Sequence, residues 1–154
     1  NDVFFNCIGT TRQRAGGVKE FINIESGISN EAAKIAANAK IPHASLISAK
    51  GANHKTWAKD WIHPLLYIKT LGQKEQTIIS NFSFNSVTIF KPGMLIRLRG
   101  KQTWFEDFSE LKGFGLRVDT LASAMIYDAE RVRLGLVGKS PQFFIGNDDI
   151  QSSL

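Results

Sequence analysis

The chain has one cysteine, four prolines and no apolar run approaching the ~20 residues that a membrane-crossing helix needs. Cys7, standing alone, can form neither an internal disulfide nor a thiolate metal cage, and a lone thiol fits a reducing compartment. His43, His54 and His63 share no helical or hairpin spacing that suggests a metal site. Charge of one sign is also scarce. The net charge of +5 comes from 19 basic and 14 acidic side chains. The bases lie scattered in small groups at Arg12/Arg14, Lys55/Lys59, Arg97/Arg99/Lys101 and Arg131/Arg133 rather than on one stripe interleaved with aromatics, which argues against direct nucleic-acid binding. There is no internal repeat, low-complexity tract or leader pattern, and no initiator methionine. Asn1-Asp2 runs directly into an apolar strand, as expected of part of a longer polypeptide.

What is present suits one domain spanning residues 1–154. The chain is 43% hydrophobic and 21% charged, enough for a packed core. Val3 to Ile8 reads as a strand apolar on both faces, closed by the turn Gly9-Thr10-Thr11-Arg12, with Gln13 to Gly17 as loop. Val18 to Ala39 carries apolar residues at three- and four-residue steps and reads as a helix weakened at Gly27; Pro42 marks its stop. Ala44 to Ser48 is a second strand, Lys50 to Pro64 a polar loop with Trp57 and Trp61, and Leu65 to Asn81 a second helix with Gly72 inside it. Ser86 to Phe90 is a third strand, ended by Lys91-Pro92-Gly93, and Met94 to Ile96 continues apolar. Trp104 to Leu111 and Val118 to Val132 read as helices, Pro141 to Ile145 as a last strand, followed by Gly146 and a polar tail. Alternating strands and helices predict an α/β fold with a parallel sheet.

One stretch carries chemistry. An apolar strand ends in Ser48, a loop follows, and the next helix bears Tyr67 on its early turns, which is the layout of a dehydrogenase site on a nucleotide-binding sheet. Four residues after Tyr67, where such a site keeps a lysine, stands Leu71. Ser48 also suits an ordinary strand-end hydroxyl, Tyr67 a half-buried helix tyrosine, and Trp57 and Trp61 either a substrate mouth or a cover for the core edge.

Cys7-Ile-Gly-Thr-Thr-Arg12, Ser48-Ala-Lys-Gly-Ala52, Tyr67 before Gly72 and Glu75, Phe90-Lys-Pro-Gly93 and the later Leu121 to Ala129 segment together resemble the Tat-interacting protein family of atypical short-chain dehydrogenases. The resemblance runs from Asn1 to about Ile150. It implies a Rossmann-like fold that lacks the N-terminal nucleotide-binding half, since no G-x-G-x-x-G turn is present. It implies an NADP(H)-dependent oxidoreductase in which Ser48 orients the substrate oxygen and Tyr67 passes it a proton, while Gly9, Thr10, Thr11 and Arg12 border the cofactor ribose and Pro92-Gly93 the nicotinamide. The family's lysine holds the ribose and lowers the tyrosine pKa from its ordinary ~10. Leu71 supplies neither charge nor hydrogen bond, which implies impaired catalysis. Lys69 points about 200° around the helix from Tyr67, and Lys74 lies almost two turns on, ~10 Å along the axis, so neither is a convincing substitute. The alternative is an inactive interaction protein with partners in nuclear transport or transcription control. The implied location is cytoplasmic with a share at the nuclear envelope. A bare edge at Val3 to Ile8 also predicts pairing with a second copy or another chain.

Overall fold

The computed structural model describes residues 2–59, 63–96 and 115–154. Strands β1 (Val3–Asn6), β2 (His43–Ile47), β3 (Ser86–Lys91) and β6 (Gln142–Ile145) form one parallel sheet in the order β1-β2-β3-β6. β4 (Met94–Ile96) and β5 (Gly115–Arg117) make a separate parallel pair. The expected α/β architecture with a parallel sheet is the one observed. The helix expected from Val18 to Ala39 is continuous but composite: α2 (Val18–Ile22), a π-helical turn (Asn23–Ile28) and α3 (Ser29–Asn38). The long helix α4 (His63–Asn81), then α5 (Val118–Arg133) and α6 (Asn147–Ser152), complete the layers.

Side-chain alternation divides the sheet between two cores. Ala44, Leu46, Val87 and Ile89 face Ala33 of α3 and Ile78 of α4, with Phe4, Phe82 and Phe84 at the margin. The opposite side gathers Phe90, Leu121, Ala124, Met125, Leu116 and Ile150, with Ile47, Leu95 and Phe144 against them. Each fully buried side chain of this size contributes roughly 1.5–3 kcal/mol, so the two clusters account for the sandwich of helices on both faces.

Several elements differ from expectation for local reasons. β1 stops at Asn6 rather than Ile8. The buried Asn6 side chain donates to Ser29 Oγ at 2.8 Å and accepts from the Ile8 amide at 3.3 Å, which draws the backbone off the ladder. The segment expected as loop after Arg12 is a one-turn helix, α1 (Arg12–Ala15), capped by the Thr11 hydroxyl and ended by Gly16 at φ 87°, a left-handed conformation that suits glycine. The expected polar tail is α6, anchored by the fully buried Ile150. The Trp104 to Leu111 helix, Trp61 and the Arg97/Arg99/Lys101 group lie outside the described residues.

Candidate functional site

The carboxyl ends of β1 and β2 open on a cavity of about 300 Å³. Gly9, Thr10 and Thr11 line it from the turn after β1, Ser48 from the end of β2, and Tyr67 and Leu71 from consecutive turns of α4. Glu25, Leu95, Val118 and Leu121 close the remaining walls. Three separate stretches singled out in the sequence therefore meet in space. Arg12 does not join them: it borders a different, open hollow with Gln13, Gly16 and Gly17. Nor do Pro92 and Gly93 line the cavity. Pro92 accepts from the Lys50 amide at 2.8 Å, and the Gly93 amide donates to Asn147 Oδ1 at 2.9 Å, so this turn ties β3 to the loop after Ser48 and to α6. Trp57 is exposed, with the Lys59 ammonium 5.6 Å from its ring, and is not part of the cavity lining.

The length of the loop between Ser48 and Tyr67 raises the question of how the two are held together. Gly72 answers it. The backbone at Asn53 and His54 crosses α4 so closely that a Cβ at Gly72 would sit 2.2 Å from the His54 nitrogen, and the Asn53 amide donates to the Ile68 carbonyl at 3.1 Å. A glycine inside a helix costs about 1 kcal/mol against alanine, and here it is the only residue that allows this crossing. Tyr67 itself is 38% exposed, its ring stacked on Phe21 at 5.9 Å. Leu71, one turn on, is buried.

Behind the cavity, α4 buries two adjacent residues of opposite charge, Lys74 and Glu75, which diverge to either side of β2. Lys74 Nζ donates to the Ile8 carbonyl at 2.6 Å and lies 3.4 Å from Glu25 Oε2. Glu25 Oε1 in turn accepts from the Thr10 amide at 2.6 Å. The cation thus sits directly beneath the Gly9–Thr10 turn. Burial pushes the Lys74 pKa down, and the Glu25 carboxylate beside it pulls back up. The π-helical turn widens the helix at Glu25, which is buried there within reach of the Thr10 amide. On the other side, Ser48 Oγ donates to Glu75 Oε1, and Glu75 Oε2 pairs with Lys91 Nζ at 2.9 Å. Lys91 also donates to the Ala52 carbonyl at 2.8 Å. Removing either member of such a pair strands a buried charge, which costs about 3–5 kcal/mol.

Sequence reasoning set Lys74 aside and left Glu25, Glu75 and Lys91 without a role. One signal was available. Leu71 and Glu75 follow Tyr67 at four-residue steps, the spacing of one helix face. Glu25 and Lys91 had none, because the partner of each is set by the packing of distant elements. Cys7 also lines the cavity; desolvation of its thiol raises its pKa, and the nearby Lys74 charge opposes that shift.

No family model matches the chain. It is 32% identical over 129 residues to "Protein FMP52, mitochondrial" of Meyerozyma guilliermondii, covering 84% of this chain and 52% of that protein. It is 37% identical over 112 residues to the protein of the same name from Lodderomyces elongisporus, covering 73% and 40%. To "Protein HTATIP2" of Rattus norvegicus it is 28% identical over 96 residues, covering 62% and 36%. The chain thus spans about half, or less, of the length of these relatives. Among solved structures, a UDP-galactose 4-epimerase superposes with a TM-score of 0.61 at 11% identity, over 95% of this chain and 55% of that one, a likeness of fold. The mitochondrial names of the yeast relatives overturn the cytoplasmic and nuclear-envelope location that the resemblance implied. Sequence likeness to the FMP52 proteins and HTATIP2, and a parallel sheet that superposes on that of the epimerase, together support the resemblance to the atypical short-chain dehydrogenases.

Proposed function

We propose that this chain carries the substrate side of an NADP(H)-dependent oxidoreductase site, with proton transfer impaired at Leu71. The observation that supports this reading best is the meeting of Ser48, Tyr67 and the Gly9–Thr11 turn on one cavity at the carboxyl ends of parallel strands, where ligands bind in such sheets. At about 300 Å³ the cavity suits the nicotinamide–ribose end of a dinucleotide rather than the whole of it. Its lining fits that end: the backbone of Gly9–Thr11 for the ribose, and Leu71, Leu95 and Leu121 as an apolar wall for the ring. When bound, the nicotinamide gives or takes a hydride. Among the described residues no glycine-rich turn leads from a strand into a helix to seat a pyrophosphate, so this chain by itself is expected to hold NADPH weakly.

Within the cavity Tyr67 is the group that moves a proton, at its phenolic oxygen. A tyrosine without a cation one helical turn away is a poor base near neutrality. Leu71 offers none, and the Lys74 ammonium is engaged by Ile8 and Glu25. The test is made with a cofactor-binding half joined ahead of this chain. There, Leu71→Lys raises carbonyl-reductase turnover by about 10²–10⁴-fold, the ordinary reach of general acid–base catalysis, while Lys69→Ala changes little. A leucine form that turns over well and loses its activity with Lys74→Ala contradicts this reading. The names of the relatives support a mitochondrial setting.

A second reading, an interaction protein that keeps the scaffold without turnover, is favoured by the buried Leu71. The edge of β1, which has no second strand beside it among the described residues and leaves Phe5 41% exposed, is the surface such a role would use, toward a second copy or another protein.

A further inference from the structure

The hydroxyl of Ser48 has one proton, and that proton is directed away from the cavity. It is donated to Glu75 Oε1, while Glu75 Oε2 is held by Lys91. Ser48, Glu75 and Lys91 are all buried, and the Lys91 ammonium is fixed a second time by the Ala52 carbonyl at 2.8 Å. A serine hydroxyl offers one donor and two acceptor lone pairs, whereas a carboxylate only accepts. With its proton committed to Glu75, Ser48 presents lone pairs alone to the cavity it lines. A carbonyl oxygen placed there would meet an acceptor with an acceptor. A hydroxyl placed there would complete a hydrogen bond.

We propose that Glu75 and Lys91 set Ser48 as a hydrogen-bond acceptor, so that the cavity selects the hydroxyl member of an alcohol/carbonyl pair. This rests on the reading of the cavity as the substrate site, and it names the polarity of the group that site takes. Glu75 and Lys91 act through Ser48 and touch no substrate; they are positioning residues. Lys91 has a defined part. Its ammonium holds Glu75 Oε2 and so orients the carboxylate with Oε1 toward Ser48, while the acceptor-only carboxylate fixes the direction of the hydrogen bond. The device also predicts what a neutral isostere does. In Glu75→Gln, Lys91 requires an acceptor and takes the amide oxygen. The amide nitrogen then faces Ser48 and donates to it, and the serine proton is released toward the cavity. Preference should pass from alcohol to ketone with the shape of the site unchanged.

The experiment titrates the whole chain with cyclohexanol and, separately, with cyclohexanone, following the backbone amides of Gly9, Thr10, Ser48 and Leu71 by NMR. One hydrogen bond distinguishes the two probes, so the wild-type chain should bind the alcohol roughly three- to ten-fold more tightly. Ser48→Ala should bring the ratio to about one, and Glu75→Gln should invert it. A merely structural ion pair would lower both affinities together and leave the ratio alone. The proposal is overturned by a wild-type preference for the ketone, by a ratio that Ser48→Ala or Glu75→Gln does not move, or by pocket amides that neither probe shifts. The titration contains no cofactor and reads no turnover, so a chain that fails to bind NADPH can still show the preference, and the two readings fail separately.

Discussion

The two ends of the four-stranded sheet solve the same problem in opposite ways. Both bury ionisable groups. At the carboxyl end, Lys74 meets Glu25 and Lys91 meets Glu75, and every carboxylate of the two pairs also accepts a further hydrogen bond, from the Thr10 amide or the Ser48 hydroxyl. At the amino end, His43 of β2 faces Asp128 of α5, with His43 Nε2 3.1 Å from Thr88 Oγ1 and 3.8 Å from Asp128 Oδ2. There His43 Nδ1, Ser45 Oγ and both Asp128 oxygens have no hydrogen-bond partner of normal geometry among the described residues. Burial pushes the Asp128 pKa up and the His43 pKa down, each toward its neutral form, and the attraction between the two only moderates this. Burial lowers the Lys74 pKa as well, so what separates the two ends is partnering: one end pairs and hydrogen-bonds its ionisable groups, and the other leaves polar atoms without partners among the described residues. The paired end is the one that lines a cavity with a serine and a tyrosine. A fixed field is what such a site needs, and neutral polar groups are what a sheet–helix contact tolerates.

The sharpest way to break the comparison is to remove one charge at the paired end. Lys74→Met strands Glu25 and releases the Ile8 carbonyl, so chemical denaturation should show a loss of about 3–5 kcal/mol, with exchange of the Thr10 amide accelerated. A loss below about 1 kcal/mol would mean the pair is solvated and holds nothing, as surface pairs do.

A step smaller is Gly72→Ala. The added carbon would overlap backbone atoms of Asn53 and His54, so the loop after Ser48 must lift from α4. The expected loss is about 1–3 kcal/mol, with the chemical shift of Ser48 changed more than that of His43. An alanine variant as stable as the parent would contradict the close crossing.

The smallest effect is expected at the other end. Asp128→Asn removes a charge that the site already disfavours, so its stability should change by no more than about 1 kcal/mol at neutral pH, and in the stabilising direction. The pH dependence gives the sign. Asp128, raised above its ordinary 3.8, contributes stability that is complete below that value and is lost as pH rises through the folded-state pKa. The asparagine variant should therefore gain on the parent between acid and neutral pH. His43, lowered from 6.5, contributes stability that is complete above 6.5 and erodes as pH falls toward its folded-state value. His43→Asn should flatten that acid limb. Thermal unfolding of the three proteins across this range measures both slopes.

How much of this was legible in the sequence follows the range of the interactions. The strand leading to Ser48, the helix bearing Tyr67, the composite helix from Val18 to Asn38 and the helix Val118–Arg133 are set by local periodicity, and the absence of lysine at position 71 is read directly. Gly72 looked like a weakness in a helix because the backbone that crosses it comes from Asn53, in a loop with no periodic signal. Lys74 looked too far along the helix when measured against Tyr67 alone. Its true partner, Glu25, lies 49 positions away on a π-helical turn that no spacing rule anticipates. The His43 and Asp128 contact was likewise hidden, because it joins β2 to α5 across most of the chain.

The most direct test of the site itself is a titration of this chain with NADPH, read residue by residue by amide NMR. The account predicts shifts at Gly9, Thr10, Ser48 and Leu71, weak enough not to saturate in the low-micromolar range, with the amides of His43, Ser86 and Ser140 at the opposite end unmoved. Saturation at low micromolar NADPH, or shifts confined to the amino end of the sheet, would contradict it.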